Sequence, residues 1–269
     1  MLDALNSLTP GDSGVDRVAQ AISYGDKPRQ QLDIWSLPRE PGKTRPVLIF
    51  YYGGGWVKGR RQDYGFAAKA YAAKGFVVVV PDYRLVPQVV FPVFLEDGAE
   101  AVRWVRDNIA RYGGDPGRVT LAGHSAGAYA AVMLALDESY LRALGVDPTI
   151  VRGAAGLAGQ YDFYPFTGRA IAAMSAAPDP QATQPIRFAR AGAPPLWLGH
   201  GSEDVTVRPR NSIRLARRMK AVGGDAKLRV YRGLDHEDLI MAVSKPFRGK
   251  APVLNDSAAF LAEASRRRD

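Results

Sequence analysis

A serine between two glycines is the residue with the clearest chemical potential in this chain. Residues 119–129 read Val-Thr-Leu-Ala-Gly-His-Ser-Ala-Gly-Ala-Tyr, so a strand-like apolar run ends in Gly-x-Ser-x-Gly and a run of small residues follows. A strand, a sharp turn and a helix in this order are the context of a nucleophile elbow. A serine held there with positive φ would project its Oγ above the sheet. Because the short motif is common, assigning Ser125 as a nucleophile requires partner residues elsewhere in the chain.

A serine hydroxyl needs a base to take its proton, and the chain offers three histidines. His124 precedes Ser125, but a turn that projects the serine directs the preceding side chain elsewhere. His200 lies within an apolar run, which favours a buried structural residue. His236 lies in a polar stretch just after the last predicted strand, so we predict that it is the base.

The base in turn needs a carboxylate to hold its tautomer and to stabilise the imidazolium. In proteins that carry the serine on such a strand–turn–helix elbow, the chain order is serine, acid, histidine. Asp204 lies in the loop after the predicted strand at 195–200 and is the favoured acid, with the adjacent Glu203 as its competitor. Asp235 neighbours His236 in sequence, but consecutive side chains generally diverge.

The developing negative charge on an attacked carbonyl oxygen requires fixed N–H donors. Three glycines, Gly53 to Gly55, directly follow the apolar run at 46–52 and offer unhindered backbone amides. Ala126, the residue after the nucleophile, offers another. Trp56 is expected either to line the pocket or to pack against this glycine loop.

The elements that must position these residues alternate between strand and helix. The strands are predicted at 17–24, 30–35, 46–52, 76–80, from about 118, 150–157, 195–200 and 227–231, and the helices at about 64–74, 93–112, 128–136, 209–221 and 255–267. This alternation predicts a mostly parallel sheet with helices on both faces and an antiparallel N-terminal edge. Functional residues then belong at the carboxyl ends of the strands.

The chain is predicted to form a single domain over residues 1–269, because no repeat or low-complexity segment interrupts it. Residues 160–192 carry aromatics, prolines and alanines without strong periodicity. We expect them to form a small cap-like excursion over the end of the sheet.

The composition narrows the function classes. The absence of cysteine excludes disulfides, thiolate zinc sites and a cysteine nucleophile, and it fits a reducing compartment. The net charge of +9 comes from scattered basic residues without a nucleic-acid-binding signature, which favours a solvated surface over a general attraction for anionic substrates or surfaces. The N-terminus lacks a signal-peptide pattern and no apolar run could span a membrane. A soluble, cytoplasmic protein is therefore expected, and a homodimer is compatible with the sequence.

Several segments taken together resemble a known family. The matching segments are Tyr52-Gly53-Gly54-Gly55-Trp56, Pro81-Asp82-Tyr83-Arg84-Leu85, Phe91-Pro92, Leu95-Glu96-Asp97, Gly113-Gly114-Asp115-Pro116, Gly123-His124-Ser125-Ala126-Gly127, Gly159-Gln160-Tyr161-Asp162, Asp204-Val205-Thr206-Val207 and Gly233-Leu234-Asp235-His236. In this order, over nearly the whole chain, they resemble α/β-hydrolase esterases of the hormone-sensitive-lipase-like and carboxylesterase or arylformamidase-like branch.

The resemblance implies hydrolysis of carboxylic esters without a metal or an organic cofactor. It assigns the oxyanion donors to Gly54, Gly55 and Ala126, and it implies that Asp82 and Arg84 form a structural polar pair bracing the oxyanion loop. Contacts with the substrate are expected from the aromatic residues Trp56, Tyr129 and Tyr161. One departure is Tyr52, which stands where the branch usually has a histidine, so the shape and hydrogen bonding of the glycine loop are open.

The sequence therefore predicts a serine carboxylesterase that acts on small, short-acyl or aryl esters through Ser125, His236 and Asp204. An arylformamidase or other amidase using the same triad is the alternative within enzymes. A non-catalytic binding module on the same fold is the alternative of another class, and the intact triad argues against it. The natural substrate, the acyl-chain preference and the oligomeric state are left open by the sequence.

Overall fold

The computed structural model describes residues 12–267, and one β-sheet runs through this part of the chain. Its strands are β1 (Asp16–Ser23), β2 (Gln31–Ser36), β3 (Arg45–Tyr51), β4 (Val77–Pro81), β5 (Gly114–His124), β6 (Val151–Leu157), β7 (Leu196–Gly201) and β8 (Ala226–Tyr231). The α-helices described are α1 (Gly65–Ala72), α2 (Val93–Asn108), α3 (Ala126–Leu136), α4 (Ser139–Arg142), α5 (Arg169–Met174), α6 (Arg210–Ala221), α7 (His236–Met241) and α8 (Val253–Ala264). Short 3₁₀ segments lie at Arg61–Tyr64, Ile109–Tyr112, Pro148–Ile150, Pro180–Thr183, Pro185–Phe188 and Lys245–Phe247.

The strand order is β1-β2-β4-β3-β5-β6-β7-β8, and only β2 is antiparallel to its neighbours β1 and β4 within this sheet. All other pairs are parallel, which confirms the predicted parallel sheet with an antiparallel N-terminal edge. The chain leaves β3 toward β4 on one side and later enters β5 on the other side. Such a reversal opens a crevice at the carboxyl ends of the two strands, where ligands bind in open α/β sheets.

The registers place two of the predicted site segments side by side. Phe50 pairs with Ala122 and Tyr51 with Gly123, so β3 and β5 end at the same level. The glycine loop leaves the end of β3 and the serine turn leaves the end of β5. The two segments, separated by about 70 residues in the sequence, are thereby brought together at one edge of the sheet.

The centre of the sheet is buried on both faces. All five residues of β4, Val77–Pro81, are buried, as expected for a parallel strand covered by helices on both sides. Helix α3, which follows the serine turn, is also buried along all of its 11 residues. Its alanines and glycine allow it to approach the sheet closely, so the turn that carries Ser125 rests on the most tightly enclosed part of the fold.

Two predictions of local structure were wrong. Strand β5 begins at Gly114 rather than near Arg118, because Gly114 already pairs with Arg45 of β3. The polar stretch after β8 is not only a loop, since α7 begins at His236. The side chain of Asp235 accepts hydrogen bonds from the N–H groups of Glu237 and Asp238 and so caps this helix.

The segment at 160–192, predicted to form a cap-like excursion, contains α5 and two 3₁₀ turns. Two buried amide side chains hold its first residues. The Asn211 Oδ1 atom accepts from the N–H groups of Tyr161 and Asp162, and the Gln184 Oε1 atom accepts from those of Phe163 and Tyr164. Across residues 12–267, no helix is both long enough and apolar enough to cross a membrane.

Candidate active site

The turn between β5 and α3 has the backbone of a nucleophile elbow. Ser125 has φ 55° and ψ −120°, a backbone conformation that residues other than glycine rarely adopt. The turn is possible because its two glycines leave no Cβ. A Cβ on Gly123 would overlap the backbone of Gly127, and a Cβ on Gly127 would overlap the carbonyl oxygens of Tyr51 and Tyr52. The predicted positive φ at the serine is therefore present.

The three predicted triad residues lie in hydrogen-bond contact. The Ser125 Oγ atom is 2.9 Å from His236 Nε2, and His236 Nδ1 is 2.7 Å from Asp204 Oδ2. A carboxylate can only accept, so Nδ1 donates to Asp204, and Nε2 is left to accept from the serine hydroxyl. Ser125 follows β5, Asp204 follows β7 and His236 follows β8, which means that three strand ends supply one continuous hydrogen-bonded chain.

The carboxylate of Asp204 is buried and held ionised by its partners. Its Oδ1 atom accepts from the N–H groups of Thr206 (3.0 Å) and Val207 (2.8 Å), while Oδ2 faces His236. Burial by itself raises the pKa of this carboxyl, but the hydrogen bonds from His200, His236 and the backbone outweigh it and hold the pKa well below its usual range. Asp204 is therefore an anion at neutral pH. The competing acid Glu203 is exposed.

His200 is a buried residue that supports this carboxylate, in agreement with the structural interpretation of its sequence. Its Nδ1 atom accepts from Ser212 Oγ at 2.8 Å, and its Nε2 atom donates to the Val207 carbonyl at 2.6 Å. The same Nε2 atom lies 3.4 Å from Asp204 Oδ2. The contact with Asp204 was missed from the sequence, where the only signal was a histidine four residues before the aspartate at a strand end.

His124 supports the base rather than replacing it. Its Nε2 atom donates to the backbone carbonyl of His236 at 3.1 Å, and its Nδ1 atom accepts from the Tyr64 hydroxyl at 2.8 Å. Burial, with the nearby His236, holds the pKa of His124 well below its usual value, so this ring is neutral. Tyr64 was missed from the sequence, because nothing near it marks a functional residue.

The glycine loop after β3 adopts backbone conformations that favour glycine. Gly54 has φ 141° and Gly55 has φ 62°. Among residues 12–267, no hydrogen bond uses the N–H group of either glycine. Ala126 is the first residue of α3, so its N–H has no partner within the helix. All three proposed oxyanion donors are thus available at the strand ends that carry the triad.

Tyr52, the departure from the expected histidine, anchors the base of this loop. It is fully buried, and its hydroxyl accepts from Arg29 Nη2 at 2.7 Å. The same Arg29 nitrogen also donates to the Gly59 carbonyl at 2.7 Å, which ties the two ends of the loop together. The Tyr52 ring stacks on Tyr83 at a centroid distance of 4.5 Å, and the Tyr83 hydroxyl donates to the Tyr52 carbonyl. The tyrosine therefore provides a rigid support where a histidine was expected.

Asp82 and Arg84, predicted to form a polar pair, have different partners. The Asp82 carboxylate accepts hydrogen bonds from the backbone N–H and the guanidinium of Arg61. Arg61 is the first residue of the 3₁₀ turn that follows the glycine loop. Arg84 instead donates to both oxygens of the fully buried Asp97. The prediction of one pair was wrong, because each side chain is bound by a different partner: Arg61 for Asp82 and Asp97 for Arg84.

A cavity of about 1410 Å³ opens over the triad. Ser125, His236 and the glycine loop line it, together with Trp56 and Phe163. The indole of Trp56 stacks on Phe163 at 6.2 Å and meets the ring of Tyr129 edge-on at 5.4 Å. Trp56 thus both lines the cavity and packs against its wall.

The other two residues expected to contact the substrate, Tyr129 and Tyr161, do not line this cavity. Both are fully buried behind it. In residues 12–267 no group of three or more histidine, cysteine, aspartate or glutamate side chains is arranged to hold a metal ion.

The buried parallel sheet, the serine elbow and the Ser-His-Asp chain together define an α/β-hydrolase with the site of a serine hydrolase. The family model described as the prolyl oligopeptidase family matches residues 95–267, which is more than half of the chain. The chain therefore belongs to that family. A second model, described as BD-FAE, matches residues 32–148.

Curated relatives are named as esterases. Isoprenylcysteine alpha-carbonyl methylesterase from Arabidopsis thaliana is 29% identical over 92% of this chain and 62% of its own length. Esterase LipC from Mycobacterium tuberculosis is 33% identical over 75% of this chain and 55% of its own length. This chain thus spans roughly three fifths of the curated relatives that it matches. The predicted resemblance to α/β-hydrolase esterases is confirmed.

A solved structure shows the same fold over almost the whole chain. Esterase B from Lactobacillus rhamnosis aligns with a TM-score of 0.84 at 19% identity, covering 98% of this chain and 92% of the other. At this identity the likeness concerns the fold alone, and it confirms the predicted α/β-hydrolase architecture.

Proposed function

We propose that this chain is a serine carboxylesterase that hydrolyses small esters with short acyl or aryl groups through an acyl-enzyme. The observation that carries the proposal is the chain of two hydrogen bonds from Ser125 through His236 to Asp204, at 2.9 and 2.7 Å. A nucleophile in contact with a base, and a base oriented by an acid, are the parts that acyl transfer requires.

In the first half-reaction, His236 Nε2 takes the proton of the Ser125 hydroxyl while Oγ attacks the ester carbonyl carbon. The bond to the alcohol oxygen then breaks, and the imidazolium of His236 gives its proton to the leaving alcohol. The product is an ester between Ser125 and the acyl group. Asp204, an anion at neutral pH, stabilises the imidazolium between these two proton transfers.

In the second half-reaction, His236 removes a proton from water, whose oxygen attacks the acyl carbon. The bond to Ser125 Oγ breaks, the proton returns to this oxygen, and the free acid leaves. In both halves the N–H groups of Gly54, Gly55 and Ala126 are proposed to hold the negative oxygen of the tetrahedral intermediate. Loss of one such donor typically lowers the rate by roughly 10²–10³.

The buried surroundings favour this stabilisation. The turn of Ser125 rests on the fully buried helix α3, and the glycine loop is fixed by Tyr52 and Arg29. Donors that are already in place lose no energy to reorganisation when the charge develops. The N-terminus of α3 also carries the positive end of the helix dipole toward Ala126.

The test is the replacement Ser125→Ala, with hydrolysis of para-nitrophenyl acetate as the readout. We expect a drop in kcat of at least about 10³-fold with an unchanged circular dichroism spectrum. Ser175→Ala, at an exposed serine just after α5, is the matched control and should retain full activity. A fluorophosphonate probe should label the wild type and Ser175→Ala but not Ser125→Ala. Turnover by Ser125→Ala close to that of the wild type would remove the serine from the mechanism.

The same triad can attack an amide carbonyl, and membership of a family named for oligopeptidases favours testing this second function. The comparison is between N-formylkynurenine, an aryl formamide, and phenyl acetate. A higher kcat/KM for the formamide would assign the chain as an amidase. A higher value for the ester would retain the carboxylesterase.

Two further expectations are proposed on the sequence alone. The absence of cysteine fits a cytoplasmic location, which a fluorescent fusion in the native host would test.

A homodimer is the proposed assembly, and light scattering coupled to gel filtration measures the mass directly. A single peak near 29.2 kDa, the mass of one chain, would refute the dimer.

A further inference from the structure

The cavity over the triad is strongly basic. Two of its lining side chains are carboxylates, Asp63 and Glu237. Six are cationic: Arg29, Lys58, Arg60, Arg169, Arg208 and Arg210. The scattered basic residues of the sequence are thus partly concentrated at one place, around the proposed nucleophile.

Two of the six cations are engaged by the protein. Arg29 binds Tyr52 and two backbone carbonyls and lies 3.8 Å from the Asp82 carboxylate. Arg60 forms an ion pair with Asp63 at 2.8 Å. Their charges serve the loop that they hold.

The other four cations, Lys58, Arg169, Arg208 and Arg210, have no carboxylate within ion-pair distance among residues 12–267. All four side chains are exposed at the cavity. A cleft lined by unpaired charges of one sign raises the local concentration of ligands of the other sign.

Arg169 lies beside the glycine loop. It is the first residue of α5, in the segment over the end of the sheet. Its side chain crosses the glycine loop: a Cβ built on Gly55 would lie 2.7 Å from Arg169 Cδ and 3.4 Å from its Nη1. The guanidinium is therefore beside a proposed oxyanion donor.

We infer that the natural substrate is an ester carrying a carboxylate, which Arg169 binds beside the oxyanion loop while Lys58, Arg208 and Arg210 attract it into the cavity. The inference rests on the proposed carboxylesterase function. An arginine can bind a carboxylate with two parallel hydrogen bonds, which fixes the orientation of the ester as well as its affinity. The carboxylate lies within a few bonds of the scissile carbonyl, because Arg169 touches Gly55.

An isolated ion pair on a protein surface contributes little, because water screens it. This site differs in two ways. Several unpaired cations share one cleft, and the stem of Arg169 is laid against the backbone of the glycine loop. A carboxylate that accepts charge-assisted hydrogen bonds from this arginine is therefore expected to be preferred about 10-fold or more over a neutral group.

The experiment compares two pairs of esters matched in size. Monomethyl succinate and methyl levulinate differ by a carboxylate in place of a methyl ketone on the acyl side. The para-acetoxybenzoate anion and para-acetoxybenzamide differ by the same charge on the alcohol side. Acid release in a pH-stat gives kcat/KM for each ester, and the two pairs show which side of the ester carries the charge.

We expect the charged member of one pair to be preferred by about 10-fold or more in kcat/KM. Arg169→Gln should lower this preference about 10-fold, mainly through a higher KM, and Arg169→Lys should restore part of it. Added salt should lower the preference in the wild type, because it screens exposed charges. The matched control is Arg187→Gln, at an exposed arginine of the same segment that does not line the cavity; its preference should equal that of the wild type.

Two results would overturn the inference while leaving the carboxylesterase intact. One is hydrolysis in which neither pair shows a preference for the charged ester. The other is an equal loss for charged and neutral esters in Arg169→Gln, which would assign the arginine to stabilisation of the oxyanion instead. If no ester of either pair is hydrolysed, and the fluorophosphonate probe fails to label Ser125, the proposed function itself fails.

Discussion

Replacement of Asp204 by asparagine tests the triad without changing the shape of the site. The Oδ1 atom of Asp204 accepts from two backbone N–H groups, those of Thr206 and Val207. An asparagine must therefore place its carbonyl oxygen there, because its NH₂ group cannot accept. The NH₂ group then faces His236 Nδ1, which has to accept, so the proton of the ring moves to Nε2. A protonated Nε2 cannot remove the proton of Ser125.

Two contributions set the size of the effect. Turning the amide to restore the productive tautomer would lose two backbone hydrogen bonds, at about 1 kcal/mol each, which leaves roughly one site in 30 productive. Losing the negative charge beside the imidazolium removes a charge-assisted hydrogen bond, which contributes about 1.5–3 kcal/mol, or roughly 10- to 150-fold. Together they predict a fall in kcat of roughly 10³-fold, somewhat less than the roughly 10⁴-fold effect of this substitution in the best-known Ser-His-Asp enzyme.

The measurement is kcat for para-nitrophenyl acetate at pH 7.5, with labelling by a fluorophosphonate as a second readout. Glu203→Gln is the matched control, because Glu203 is the neighbouring acid and is exposed. It should retain the wild-type rate. A loss of less than 10-fold in Asp204→Asn, or an equal loss in Glu203→Gln, would refute the assignment of Asp204 as the acid of the triad.

Two other predictions concern stability. His124 is neutral in the fold because its pKa is lowered, but in the unfolded chain it binds a proton below about pH 6.5; the free energy of unfolding should therefore fall as the pH drops below 6.5, by up to about 1.4 kcal/mol per pH unit. When the free energy of unfolding is measured with urea between pH 5 and pH 8, it should depend less steeply on pH in His124→Asn than in the wild type. An unchanged dependence on pH would contradict the neutral ring. Gly127→Ala should lower the free energy of unfolding by about 3 kcal/mol or prevent folding, because its Cβ overlaps the Tyr51 carbonyl. Gly249→Ala, where a Cβ meets no atom within 4 Å, should change little, and equal effects in the two variants would refute the steric argument.

The sequence predicted the parts of the site that depend on local pattern and chain order. The alternation of strands and helices predicts a parallel sheet, and the ends of such strands meet at one edge. Ser125, Asp204 and His236 could therefore be selected without coordinates, because each follows a predicted strand and their order suits the fold. The helical start at His236 could have been predicted too, since Asp235 before Glu237 and Asp238 is an N-cap pattern.

The supporting contacts could not be predicted in the same way, because they join positions without a shared pattern. Tyr64 reaches His124 across 60 residues, and Arg29 reaches Tyr52 from the turn between β1 and β2. The aromatic side chains show the same difficulty. Tyr129 and Tyr161 were expected at the substrate, yet both are fully buried and neither lines the cavity. Sequence spacing predicts which side chains belong to the same helix or strand, but not which residues of other elements each side chain contacts.

The contact between Arg169 and Gly55 joins the reaction and the proposed recognition of the substrate at one position. Gly55 has φ 62°, and the absence of a Cβ leaves the space in which the arginine stem lies. The proposed oxyanion donor and the guanidinium thereby lie side by side, so a carboxylate on the substrate would also orient its ester carbonyl. Because Arg169 belongs to α5 and the proposed triad residues follow the ends of strands, substitutions around α5 can change the preferred ester without disturbing the nucleophile. Selectivity for charge is therefore expected to vary independently of kcat in variants of residues 160–192.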